Sequence, residues 1–433
     1  MTAETTAAPH AAPAAHLSFA ALRHAGFRAY FIGGWLAMMA DNVEHVISYW
    51  IVYQKFHSPA LLGFAVVSHW TPFLLFGIYS GSLADRFDPR RIIQAGMLIF
   101  MACSAMWGFF FFTDSLTPWE AAGILVFHGF AGVLWMPSAM LLIHDMVGPA
   151  HLQSAVRLNA TGIWLGRLCG PIMGSALLLG LGPVAGIFAN ILIYLPLTLW
   201  LWKAPYGPRF RADPAAPSPR TALRGMDDIL ATWRAIAARP TIILMTALAG
   251  GAALLVGNAY QAQMPGFAQD FGHGNAGLYY SLLLAADAAG ALTAGFALEA
   301  VGILQAHTRT ALIIGGLWCL AIVGFALSPV YPLALAFLFA AGFVELSFNA
   351  MAQTLVQLHA PADIRGRVIG FFNMFANGLR AFSGVTVGFG GALIGIHASL
   401  ALSAAALFVL LMSLLAWARR VARREPHLAA PGS

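Results

Sequence analysis

Runs of about twenty apolar residues, the length a helix needs to cross a bilayer, recur along almost the whole chain. They fall near residues 28–53, 60–83, 92–112, 119–143, 155–180, 183–202, 240–263, 276–298, 310–329, 332–357, 367–393 and 398–418. Breaker clusters separate them, among them Ser58-Pro59, Thr117-Pro118, Gly182-Pro183, Pro329 and Pro332. A backbone in hydrocarbon must satisfy its own polar groups, so runs of this length read as helices. The pairs meeting at 180/183 and 329/332 require very tight turns. Composition agrees with this reading. Only 9% of the 433 residues are charged, against roughly 25% in soluble domains. That excludes a disordered chain, a coiled coil and a cytosolic enzyme. Cys103, Cys169 and Cys319 all lie inside apolar runs and read as buried thiols, not as a disulfide framework.

The placement of charge fixes an orientation. With the N-terminus inside, only Lys55 of the 23 Lys and Arg lies in an outer segment. Arg167 and Arg380 are embedded in spans, and all the rest are on the inner side. Both ends are therefore expected in the cytoplasm. Residues 1–24 lack the features of a signal peptide and read as a disordered cytoplasmic tail. Residues 421–433 form a second tail, and its basic start reads as membrane-surface charge, not as a nucleic-acid site. The longest polar stretch, 204–238, reads as a cytoplasmic linker between two six-helix bundles, 25–203 and 239–420. The halves look alike at a fixed offset. Pro149-Ala150 and Pro361-Ala362, Val156 and Val368, and Gly166 and Gly378 are each 212 residues apart; Gly81 and Gly295, and Asp85 and Glu299, are 214 apart. The fold class expected is an all-α integral membrane protein of about twelve transmembrane helices in two pseudo-symmetric bundles, with a substrate site between the repeats near the midplane.

Ionisable groups within a span are costly and mark function by default. Asp41, Arg167, Asp287, Glu345 and Arg380 fall near the centres of their spans, and Glu44 and His45 lie one turn outward of Asp41. At 100° per residue, Asp41, Glu44 and His45 share one face of their helix. The leading reading is a proton-coupling site. One acid alternatively serves as a structural partner of Arg167 or Arg380. A third reading is a cation site, although three mixed ligands at helical spacing are a weak metal signal, and no metal is expected. Gly166, Gly170 and Gly174 form a small-residue face in span 5, where Gly170-Pro171 is expected to bend the helix.

Three segments carry a resemblance. Gly81-Ser82-Leu83-Ala84-Asp85-Arg86-Phe87-Asp88-Pro89-Arg90-Arg91 resembles the signature inner loop of the major facilitator superfamily, departing from its commonest form at Asp88 and Pro89. Gly166-Arg167-Leu168-Cys169-Gly170-Pro171-Ile172-Met173-Gly174-Ser175 resembles the Gly-Pro motif of that superfamily's antiporters, departing at Ser175. Pro361-Ala362-Asp363-Ile364-Arg365-Gly366-Arg367-Val368 resembles the start of span 11 in the branch of enterobactin exporters and macrolide efflux pumps. His128 lies near the place where many antiporters of the family carry an Arg.

The resemblance implies two six-helix bundles working by alternating access, with spans 1, 4, 7 and 10 lining a central cavity. Carried over, the lining would include Trp50, His128, Trp135, Asn258, Tyr260, Gln261, Glu345 and Asn349; for Trp50 and Trp135, packing or an interfacial belt is the other reading. Arg167, Asp287 and Arg380 would sit where the halves meet, with pairing among them slightly favoured over contact with substrate. Gly81, Asp85, Arg86, Arg90 and Arg91 would form an inner latch, with Asp85 facing a helix N-terminus; a plain positive-inside anchor is the alternative. His69, His144 and His151 carry no assignment.

The function expected is secondary active export of a small amphipathic compound, a drug or siderophore, by proton antiport. Proton-coupled nutrient uptake and lipid flipping are the alternatives within the fold, and a non-transporting receptor or intramembrane enzyme lies outside it. No GxxxxGK[ST], HExxH or CxxC motif is present, so neither ATP drive nor an enzyme is expected, and no cofactor. The partners expected are the small-molecule substrate, protons and the lipid bilayer, with no nucleic acid and the chain acting as a monomer. The expected location is the bacterial inner membrane.

Overall fold

The computed structural model describes residues 18–56, 59–207, 226–257, 259–271, 276–301, 304–383, 387 and 390–424. Every regular element among them is helical. The chain opens with α1 (Ala25–Phe56), α2 (Pro59–Arg86) and α3 (Pro89–Thr113). Asp88 starts α3 by accepting from the Arg90 amide at 3.0 Å, and Pro89 occupies a first-turn position that needs no amide hydrogen. The two departures from the loop signature thus form a cap. There follows an 86-residue helical stretch, Pro118–Lys203, whose backbone leaves helical geometry at Gly148 (φ 67°) and Gly182 (φ 78°). Positive φ at these two points is open to glycine at little cost, and a proline begins the next helix after each. The stretch is therefore three elements, α4 (118–147), α5 (149–181) and α6 (183–203). The tight turn expected between 180 and 183 is a one-residue reversal.

The second half begins with α7 (Met226–Ala237), which meets α8 (Pro240–Leu255) at a bend of 104°. Two short helices follow α8, Ala259–Ala262 and Met264–Asp270. Then come α9 (Ala276–Val301), α10 (Thr308–Ala326), α11 (Tyr331–His359) and α12 (Arg365–Ala376). A 3-10 turn, Gly378–Phe382, and a short helix, Gly390–Ile394, precede α13 (Ile396–Arg424). Six of the described helices are long and apolar enough to cross a membrane, and the 86-residue stretch among them crosses three times. With α1, α2 and the broken pairs the chain makes twelve crossings.

Two spans differ from expectation. Those expected to run unbroken over 240–263 and 367–393 are interrupted, the first at Gly257 (φ 50°) and the second after Ala376. The breaks adjoin, because Gly257 packs on the Ser383 side chain. Irregular backbone at membrane depth is tolerated where protein or a cavity surrounds it. In α5, by contrast, helical dihedrals continue through Gly170-Pro171, so no break marks the expected bend. Gly166 instead packs on Met38, Gly170 on Asn42 and Gly174 on Val46. One stripe of glycines on α5 at four-residue spacing lets the larger side chains of α1 settle close against it, and close packing is the main attraction available between helices in lipid.

The three largest apolar clusters follow the two halves. The largest draws its buried residues from Ile236 to Leu415, with Ile78 as the exception. Two others lie between Ala21 and Leu201, apart from Ala350. Residues 18–24, expected within the disordered tail, instead make a 3-10 turn, Ala20–Arg23. Ala21 is buried there, and its amide donates to Ser154 Oγ at 3.0 Å.

Candidate functional site

A cavity of ≈ 680 Å³ lies between the halves, with Asp41, His45, Trp135 and Arg167 on one wall and Gln261, Asp287 and Asn377 on the other. The first wall carries a compact ionic array. His128 on α4 stands between two acids of α1, its Nε2 2.9 Å from Asp41 Oδ1 and its Nδ1 2.9 Å from Glu44 Oε1. Ser104 of α3 donates to the other Glu44 oxygen at 2.5 Å. Asn190 of α6 donates to Ser104 Oγ at 3.3 Å and to the Ala40 carbonyl at 2.9 Å. Asp41, Glu44 and His128 are all buried. His45 lies 3.9 Å from Asp41, and the imidazoles of His45 and His69 are 5.3 Å apart, centre to centre.

This arrangement constrains its protons. An ionised carboxylate only accepts, and a neutral imidazole donates through one nitrogen alone. Filling both contacts of His128 therefore takes two protons: both on the ring with two ionised acids, or one on the ring and one on an acid. His128 Nε2 and Asp41 Oδ1, though 2.9 Å apart, are not aligned as a hydrogen bond, so passing a proton between them takes a small reorientation of the ring or the carboxylate.

The opposite wall is built around Asp287 on α9. Its Oδ2 accepts from Tyr260 Oη and from Gln261 Nε2, each at 3.1 Å. Tyr260 Oη is also 3.5 Å from Glu345 Oε2. Arg167 stacks over Trp164 at 5.4 Å and Arg380 over Trp70 at 5.4 Å. Asp287 is thus hydrogen-bonded by its neighbours Tyr260 and Gln261, with Arg167 near enough to act on it electrostatically. Trp50 is 50% exposed and does not line the cavity: it lies beyond the polar stretch of α1, on the outer surface of the bundle. His128, Tyr260, Glu345 and Asn349, also expected in the lining, do not border the cavity: His128 and Tyr260 are buried behind Asp41 and Asp287, and Asn349 is half-buried one turn from Glu345. Asn258 lies outside the described residues.

His69 belongs to the array although no sequence pattern assigned it a role. It interrupts an apolar span within Ser68-His69-Trp70, and that interruption was the available signal. Ser104 and Asn190 carried none, because their partners come from other helices. His151 pairs with His24 at 2.8 Å and His144 approaches Arg365 at 3.4 Å, away from the cavity.

The halves meet at one end. Gly77 and Gly81 of α2 pack on the backbone of Gly370 and Gly366 of α12. Asp85 caps that helix, accepting from the Gly366 amide at 2.6 Å and the Arg367 amide at 2.9 Å. Around it, Arg90 grips Asp88 at 2.6 Å and donates to the Ala204 carbonyl. Arg91 donates to Gln94 at 2.7 Å, and Arg86 lies over the Phe87 ring at 5.1 Å. The residue matching Asp85 in the second half, Glu299, makes the corresponding contact to α5. It accepts from Ser154 Oγ and lies 4.0 Å from Arg157 Nη1, while Arg157 donates to the Leu304 carbonyl.

Comparison with known proteins agrees with this architecture. The Major Facilitator Superfamily profile matches residues 30–384 and 258–432. The enterobactin exporter EntS of Escherichia coli is 26% identical over 436 residues, covering 95% of this chain and 96% of its own. That of Citrobacter koseri is 26% identical over 371 residues, covering 81% of each. Among solved structures, the human organic anion transporter MFSD10 superposes with a TM-score of 0.63 at 16% identity, covering 91% of this chain and 99% of its own. The E. coli fucose:proton symporter FucP superposes with a TM-score of 0.69 at 11% identity, covering 90% and 98%. The profile spans most of the chain, and the twelve crossings fit it: this protein belongs to the Major Facilitator Superfamily and is a multi-pass membrane transporter.

Proposed function

We propose that the chain exports a small amphipathic compound of the drug or siderophore class in exchange for protons. The observation that carries this is His128 held between Asp41, which borders the cavity between the halves, and Glu44, buried behind it. Two acids sharing one ring give a site that loads and unloads a proton at low cost, which is what a coupled carrier requires. The mixture of aromatic and polar groups around the cavity suits a partly apolar substrate, and the relatives named enterobactin exporters favour the siderophore class. The protein sits in the bacterial inner membrane as a monomer with both ends in the cytoplasm. Residues 25–203 and 239–420 are the moving halves, and 204–238 links them. With the halves joined at Asp85 and Glu299 on the cytoplasmic side, the cavity serves the opposite side, and rocking of the halves alternates access.

The test is purified protein in proteoliposomes with an imposed pH gradient and a panel of siderophores and antibiotics. Wild type moves substrate against its own gradient, and a protonophore abolishes this. Asp41→Asn and Glu44→Gln separately retain substrate binding but lose at least ten-fold of the gradient-driven rate. Normal coupling in both variants would overturn the assignment.

A further inference from the structure

The sequence offered three mixed ligands on one helix, and the fold adds two histidines from other helices. His69 arrives from α2 and His128 from α4, so that the imidazole nitrogens of His45, His69 and His128 lie within 4.8 Å of one another. His69 Nδ1 is buried with no hydrogen-bond partner among the described residues. His128 is already oriented for coordination: with its Nδ1 bonded to Glu44, its Nε2 points at Asp41. A carboxylate holding the far nitrogen of an imidazole is the usual outer support of a metal-bound histidine, and Ser104 in turn holds Glu44.

We propose that this wall of the cavity binds one divalent first-row transition-metal ion through His45, His69, His128 Nε2 and Asp41, with Glu44 as the positioning group. Three imidazoles and one carboxylate suit zinc, cobalt, nickel or iron(II), and they do not suit calcium or magnesium, which want oxygen cages. In a tetrahedral site with metal–nitrogen bonds of about 2.0–2.1 Å the ligand atoms sit about 3.3 Å apart, so the rings close by roughly 1–1.5 Å on binding. Side-chain rotation supplies that, since His45, His69 and Asp41 all border the cavity. Arg167 borders it too and opposes a second cation, and the charges of Asp41 and Glu44 offset it. Metal occupancy goes beyond the proposed export and does not depend on which compound is carried.

The experiment titrates Co²⁺ alone into the full chain in nanodiscs, with no gradient and no transported compound, read by calorimetry and visible absorption. One ion per chain is expected, with the intense d–d bands of a tetrahedral site. His45→Ala and His69→Ala each weaken binding at least ten-fold, and Glu44→Gln weakens it ten- to a hundred-fold. His69→Cys keeps a ligand and adds a thiolate-to-cobalt charge-transfer band. His359→Ala, outside the cavity, leaves affinity unchanged. Absence of stoichiometric binding in the wild type overturns the proposal, as does unchanged affinity in His69→Ala or a His69→Cys spectrum without the new band. Binding at equilibrium stands or falls separately from proton antiport, which the liposome experiment decides.

Discussion

His128 is the residue on which the array depends, because each of its ring nitrogens lies 2.9 Å from a buried acid. Removing one partner of a buried ionic contact leaves the others uncompensated, at a cost of about 3–5 kcal/mol. His128→Ala should therefore lower the melting temperature in detergent markedly. Ser104→Ala removes one donor to Glu44 and should cost about 1.5–3 kcal/mol, the range for hydrogen bonds to charged groups. If neither melting curve moves, Glu44 has other partners and the array is not structural. Residue by residue, the site was partly legible. Asp41, Glu44 and His45 stand out because charge at membrane depth is rare. His128 was flagged by position and His69 only as an oddity. Ser104 and Asn190 were invisible, since a serine or asparagine is tolerated in many membrane helices and its partner is set by how helices pack.

Helix α5 shows the same division at the scale of an element. The spacing of Gly166, Gly170 and Gly174 announced a close contact, and the contact is with α1 at Met38, Asn42 and Val46. Helical dihedrals run through Gly170-Pro171 without a break. Gly170→Leu should separate the two helices, and since Asp41 and Glu44 ride on α1, it should reduce folded yield more than Gly180→Leu, which has open space around it. The α2–α12 contact behaves differently. Gly81→Val would meet the Gly366 backbone, so it should leave each half folded but prevent docking. The expected result is a normal melting curve, lost transport, and increased labelling of a cysteine placed at position 84. Unchanged labelling would mean that α2 and α12 do not need this contact.

For the whole molecule, the joint at Asp85 makes docking of the halves depend on pH. Asp85 lies beyond the apolar part of α2. Burial pushes its carboxyl from 3.8 to about 6, and nearby Asp363 adds to this; the Gly366 and Arg367 amides and the Arg367 charge pull the other way. Because the docked value is raised, the protonated form favours docking. Its contribution is full below about 3.8, the value of the freely exposed group, and is lost as pH rises through about 6. Spin labels at the ends of α2 and α12 should therefore show more of the separated state at pH 7 than at pH 4.5. Asp85→Asn should flatten that dependence, and a pH-independent distance in the wild type would refute it. Arg157→Ala, which removes the cation beside Glu299 and the donor to the Leu304 carbonyl on the other joint, should shift the same distance toward separation at every pH.

Hydropathy and the distribution of Lys and Arg determined the number of spans and the expected orientation, because crossing a bilayer is a demand each segment meets alone. The loop signature likewise announced that Asp85 faces a helix N-terminus, and its repeat at Glu299 was visible as a spacing. What only the tertiary structure decided is that His128 of α4 stands between Asp41 and Glu44 of α1, and that the imidazoles of His45, His69 and His128 come together from α1, α2 and α4. Those depend on contacts between residues far apart in the chain, set by small-residue packing between helices, and no local pattern encodes them. The interruptions of α8 and α12 belong with these, since broken backbone at membrane depth is stable only where neighbouring protein or a cavity surrounds it.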